Sequence, residues 1–136
     1  EKGNPLNILS LQDLTNSDLI FITTNPDVPI GRYTTEVFKK AGITIAPDSF
    51  ENNVKSIMLK VAGGEADAGI VYHSEVIAAD DQVEGVEIPT KFNIVAKYPI
   101  GIIKNTAHKK QAQEFVDFLL SPKGQALLTQ YGFKTS

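Results

Sequence analysis

Residues 19–33 run Leu19-Ile20-Phe21-Ile22-Thr23-Thr24-Asn25-Pro26-Asp27-Val28-Pro29-Ile30-Gly31-Arg32-Tyr33. Leu19 to Thr23 form a short apolar, β-rich run, which predicts a buried strand. Residues 24–29 carry Asn, Asp and Pro and read as a loop. From Arg32 the pattern changes to helical spacing, with Tyr33, Val37 and Ala41 on one face and Gly42 as a stop. A buried strand that passes through a short loop into a helix is the building unit of an α/β domain with a mainly parallel sheet.

The rest of the chain extends that alternation. Before it, Pro5 belongs to an extended entry segment, and Ser10-Leu11-Gln12-Asp13 suggests a capping box opening a helical turn. After it, residues 42–51 read as loop with a short strand at Thr44-Ile45. Val54, Ile57, Met58 and Val61 follow the i, i+3, i+4, i+7 template of a helix over residues 53–62, ended by Gly63-Gly64. Residues 67–72 predict a second buried strand, 74–78 a short helix and Val86-Glu87-Ile88 a brief strand. Apolar runs at 92–96 and 100–103 flank Tyr98-Pro99. Residues 107–120 form an amphipathic helix, with Ala112, Phe115, Val116, Leu119 and Leu120 along its stripe. Ser121-Pro122 then supplies an N-cap and a proline at N1 for a last helix, which closes at Gly132.

Composition narrows the function. The 136 residues suffice for one hydrophobic core, and 42% apolar with 21% charged residues is ordinary globular usage. A formal net charge of -3 offers no basic footprint for nucleic acid or an anionic membrane surface. There is no cysteine, which excludes disulfides, thiol nucleophiles and thiolate metal sites. The apolar runs are too short to cross a bilayer as a helix, and Glu1 to Pro5 resemble no signal peptide.

The candidate ligand residues cluster where strands meet helices. In an open α/β sheet, ligands sit outside the carboxyl ends of the strands. A helix start there offers free N–H groups and a partial positive charge, which suit an anion. The segment from Asn25 to Tyr33 leads into one such start, and Gly31 within it lets a ligand approach the backbone. Asn52-Asn53-Val54 form another, where an asparagine equally well only caps the helix. Tyr72 ends a strand and has a hydroxyl to donate, although a half-buried core tyrosine gives the same pattern.

Catalytic signals are weak. His73 and Ser74 are neighbours on a strand or turn and make no nucleophile–base pair unaided. His73 and His108 read as surface residues, and Arg32, the one arginine, fits either pairing with an oxyanion or a solvent-facing place on the helix. No acid/base carboxylate pair or metal-ligand spacing stands out, so neither a metal nor a cofactor is expected and the chain is read as a non-enzyme.

At these residues the chain resembles the periplasmic molybdate-binding proteins of ABC importers, along its whole length. The resemblance is carried by the ordered set Lys2-Gly3-Asn4-Pro5-Leu6-Asn7-Ile8, Ser10-Leu11-Gln12-Asp13-Leu14, the segment from Asn25 to Tyr33, Glu51-Asn52-Asn53-Val54, Gly64 to Tyr72, Tyr98-Pro99-Ile100, Phe118 to Ala126 and Tyr131-Gly132-Phe133. It implies a two-lobed type II periplasmic-binding fold that holds molybdate or tungstate between lobes through neutral donors. The donors carried over are the backbone N–H groups at Ile30 and Val54 and the Tyr72 hydroxyl, with Gly31 beside them. Ile30 stands where alanine is frequent in the family.

The family's opening segment, with two anion-contacting serines, has no counterpart here. The resemblance therefore implies that residues 1–104 are the second lobe with hinge strands, and residues 105–136 are helices that in the family return to the first lobe. Implied partners are a small oxyanion and ABC permease subunits, with no nucleic acid and with membrane contact only through the permease or an outside lipid anchor. The implied location is periplasmic, or extracellular and membrane-anchored in a Gram-positive cell. A further expectation is that the C-terminal helices either fold back onto the chain's own sheet or drive self-association, because the stripe Phe115, Val116, Leu119 and Leu120 lacks its family partner. The competing expectation is the ligand-sensing effector domain of a transcription regulator.

Overall fold

The computed structural model of the protein describes residues 1–135. They divide into two compact units, Glu1–Ile94 and Val95–Ser136. The expected lobe boundary at 104/105 concerns family architecture, which this division does not address.

The first unit is built on three parallel strands, β1 (Phe21–Thr24), β2 (Ser49–Glu51) and β3 (Ala68–Gly69), in the order β2-β1-β3. The sheet was expected to be mixed and mainly parallel; these strands are all parallel. Central β1 is buried along its whole length, as a strand covered on both faces must be. Its alternation feeds two clusters. Phe21 packs with Phe38, Val37, Ile30, Leu14 and Ile70 on one face. Ile22 packs with Ile57, Val61 and Ala66 on the other. The rings of Phe21 and Phe38 sit 5.6 Å apart. Two carboxylates tie the amino end of β1: Asp48 accepts from the Phe21 N–H at 2.8 Å, and Asp67 from the Ile20 N–H at 2.7 Å.

Helix α1 (Pro29–Ala41) follows β1 and α2 (Val54–Ala62) follows β2. The expected loop 24–29 is shorter than read: Thr24 completes β1, and proline at N1 starts α1 three residues before Arg32. Gly42 ends α1 in a left-handed conformation, φ 69°, with the Ile43 N–H donating back to Phe38 O at 3.1 Å. Asn53 caps α2, its side chain accepting from the Ser56 N–H at 2.9 Å.

The ladder of β3 covers only two of the residues expected in strand 67–72. Beyond it the side chains still alternate, Ile70 and Tyr72 toward the first cluster and Val71 toward the second. The ladder with β1 stops at the Ile22–Gly69 pair. Helix α3 (His73–Ala78) begins one residue earlier than expected.

Four local expectations are corrected. Thr44-Ile45 and Val86-Glu87-Ile88 are not strands; β2 forms at Ser49–Glu51 instead, and Ile45 and Ile88 pack as loop residues on the first cluster. The apolar runs at 92–96 and 100–103, where the resemblance implies a hinge strand, form no strand. The box at Ser10 is half formed: Asp13 accepts from the Leu9 and Ser10 N–H groups at 2.9 and 2.8 Å, but the residue preceding the 3-10 turn Asp13–Thr15 is Gln12, without a side-chain cap.

The second unit holds α4 (Lys109–Leu120) and α5 (Pro122–Gln130). Ser121 caps α5 by accepting from the Gly124 N–H at 3.2 Å, as expected. Gly124 lies against α4, since a Cβ there would sit 2.8 Å from Leu119 Cα. Tyr98 and Phe133 meet edge to face at 5.8 Å. No residue on α4 is buried, and Phe115 and Leu120 are 56% and 66% exposed.

Candidate functional site

Three parallel strands end on one edge of the sheet, so the segments leaving them start side by side. β1 leads to the first turn of α1, β2 to that of α2, and the extension of β3 to Tyr72. Ile30 and Gly31, Val54, and Tyr72 therefore share that edge. Side-chain packing agrees: Ile30 is a core member of the first cluster, and Val54 and Tyr72 pack against it.

The β1–α1 turn is made by Asn25, whose carbonyl accepts from the Val28 N–H at 2.9 Å and whose side chain accepts from the Asp27 N–H at 3.1 Å. Val28, at the N-cap, provides no side-chain acceptor. The first in-chain bond of α1 is Arg32 N–H to Val28 O, which leaves the Ile30 and Gly31 N–H groups without an acceptor among the described residues. Gly31 is required here. A Cβ would lie 2.6 Å from Thr24 O and closer still to Asn25 O.

At α2 the capping asparagine takes the Ser56 N–H, while those of Val54 and Lys55 have no in-chain acceptor among the described residues. The capping and anion-site readings of Asn53 are thus compatible. Nearby Glu51 is held by Lys60 Nζ at 2.8 Å and by the Ser49 hydroxyl at 2.7 Å. The Lys60 bond, then the Ser49 bond, pull the Glu51 carboxyl below its ordinary range. Its charge is therefore countered within the chain.

Tyr72 precedes α3, half-buried, with its ring edge-on to Tyr33. His73 and Ser74 lie in the first turn of α3, and His73 Nδ1 is 2.9 Å from Glu87 Oε1. That pairing is with an exposed carboxylate and not with Ser74. Arg32 points from α1 as an exposed residue. Among the described residues no group of three or more acidic or histidine side chains is placed to hold a metal ion. No helix among them is long and apolar enough to cross a membrane. An open hollow bounded by Leu6, Asp13, Asn16 and Leu19 lies beside the residues entering β1, at the opposite edge of the sheet. Thr24, read from the sequence as the first residue of the loop leaving the strand, is instead the buried last residue of β1.

The model of the bacterial extracellular solute-binding protein family matches residues 1–134. The chain belongs to that family. Among the relatives of this chain is the molybdate-binding protein ModA of Mycobacterium tuberculosis, 35% identical over 131 residues that cover 96% of this chain and 50% of ModA. Another is a sulfate-binding protein of Synechococcus elongatus, 27% identical, covering 98% of this chain and 45% of the relative. The chain thus spans about half the length of the curated relatives it matches. The crystal structure of PEB3 bound to L-phospholactate superposes with a TM-score of 0.72 over the whole chain and 63% of PEB3, at 22% identity, a likeness of fold. The named relatives are solute-binding proteins rather than enzymes or transcription regulators.

Proposed function

We propose that the carboxyl edge of this sheet is one half of an oxyanion site, with molybdate or tungstate as ligand, in a receptor that delivers to an ABC importer. The observation that carries the reading is the meeting of two helix starts, with open N–H groups at Ile30, Gly31 and Val54, on one cluster shared with Tyr72. Neutral donors hold an oxyanion through charge-assisted hydrogen bonds and helix-end partial charges, and no bond is broken. With no buried cation to neutralise, release to permease subunits costs no stranded charge.

The ModA relative supports molybdate, and the sulfate-binding relative makes sulfate the competing ligand. The family supports a location outside the cytoplasmic membrane, periplasmic or anchored at the cell surface. In this reading residues 1–104 act as the second lobe, and residues 105–136 as helices that return to the first.

The 136-residue chain alone binds weakly. A few charged hydrogen bonds at about 1.5–3 kcal/mol each, set against an association cost of about 4 kcal/mol or more, leave roughly -4 kcal/mol, near millimolar. The deciding experiment is calorimetric titration of the full-length gene product with molybdate, tungstate, sulfate and phosphate. Tight binding of the first two supports the reading; binding of sulfate or phosphate alone sinks it. Micromolar binding by the 136-residue chain would overturn the half-site argument.

A further inference from the structure

Three buried threonines surround the junction of β1 and α1: Thr23, Thr24 and Thr34. Two of their hydroxyls are accounted for. Thr34 donates to Ile30 O at 2.9 Å, and its oxygen lies 3.4 Å from Thr23 Oγ1. Thr24 is 1% exposed, and its Oγ1 is the buried side-chain polar atom left without a partner among the described residues. Valine fills the same volume without burying a hydroxyl, so strand stability does not explain threonine here.

The strand's alternation shows where that hydroxyl lies. Ile22 faces α2 and packs with Ile57, so Thr24, two residues on, faces α2 as well. Going from Ile22 to Thr24 advances about 6.6 Å toward the carboxyl edge. Going back along α2 from Ile57 to Val54 advances about 4.5 Å the same way. The Thr24 side chain is therefore aimed at the first turn of α2, where the Val54 and Lys55 N–H groups are open. Its backbone meets the other helix start, as the 2.6 Å approach to a Cβ at Gly31 records. One residue thus joins both anion-favouring helix starts.

We propose that Thr24 is a ligand-binding residue of this site, its hydroxyl hydrogen-bonding an oxygen of the tetrahedral oxyanion held at the starts of α1 and α2. This rests on the oxyanion reading above.

The test is Thr24→Val and Thr24→Ser in the full-length gene product, titrated with molybdate and melted in its absence. The expected result is a loss of about tenfold or more in affinity for Thr24→Val, with an unchanged or raised melting temperature, and near wild-type affinity for Thr24→Ser. Wild-type affinity in Thr24→Val would overturn the assignment. So would a parallel loss of affinity and stability that serine does not restore, since that marks packing. If the wild type binds none of the four oxyanions, the oxyanion reading fails first and the Thr24 role falls with it. A binding wild type confines the result to the threonine.

Discussion

The ring of Tyr72 stands edge-on to that of Tyr33, with 6.5 Å between centroids and 72° between planes. Tyr33 belongs to α1 and Tyr72 to the segment that extends β3, so this contact holds the tyrosine beside the helix start that carries Ile30 and Gly31. Phenylalanine at position 72 keeps the ring contact and removes only the hydroxyl. Tyr72→Phe is expected to weaken molybdate binding by about 1.5–3 kcal/mol, tenfold or more, measured by titration of the full-length gene product. Unchanged affinity would remove Tyr72 from the site.

Gly31→Ala tests the close approach of α1 to the end of β1. The added methyl meets two backbone carbonyls, those of Thr24 and Asn25, which cannot rotate aside as a side chain would. The turn must shift, and a loss of about 1–3 kcal/mol is expected in urea denaturation. A denaturation midpoint equal to the wild type would show that the turn yields freely.

Asn53→Ala removes the acceptor of the Ser56 N–H and hydroxyl. Loss of an N-cap costs about 0.5–2 kcal/mol. The expected outcome is lower stability together with weaker oxyanion binding, because fraying of the first turn releases the Val54 N–H from its orientation. If stability falls while affinity holds, the α2 start does not contribute to the site.

The Glu51–Lys60 pair predicts a pH dependence. The Glu51 carboxyl is held below its ordinary 4.5, so its contribution is complete above that value and is lost as pH falls through the lowered one. The Lys60 ammonium is raised above its ordinary 10.5 by the Glu51 bond, so its contribution is complete below 10.5 and is lost as pH rises through the raised value. Thermal melts on the acid side should show a shallower decline for Glu51→Gln than for the wild type. Part of the slope survives, because Asp13 is also lowered, chiefly by the Leu9 N–H. Identical acid limbs would exclude Glu51 as a contributor.

Phe115 and Leu120 on α4 are 56% and 66% exposed, and Phe118 is 41% exposed. Apolar side chains grouped on one helix favour association. The 136-residue chain is expected to self-associate in light scattering, and Phe115→Ser with Leu120→Gln to shift it toward monomer. A wild-type chain that stays monomeric at high micromolar concentration refutes this.

Local pattern alone determined most of the elements. The apolar run before Thr24, the helical period through Val37, Ile57 and Phe115, and the caps at Asn53 and Ser121 are short-range signals, satisfied within a few residues of where they are written. Gly31 and Tyr72 were legible as candidates for the same reason, since each stands at a strand or helix end, while Ile30 and Val54 were singled out by the family resemblance. Tertiary structure decided what no local pattern contains. A ladder exists only where a partner lies alongside, so Ser49–Glu51 pairs with β1 while Thr44-Ile45 and Val86-Glu87-Ile88 remain loops despite their β-forming residues. The order β2-β1-β3 brings two helix starts and Tyr72 to one edge. It also leaves Thr24 with a buried hydroxyl that has no partner among the described residues, because burial and pairing depend on chain segments that are distant in sequence.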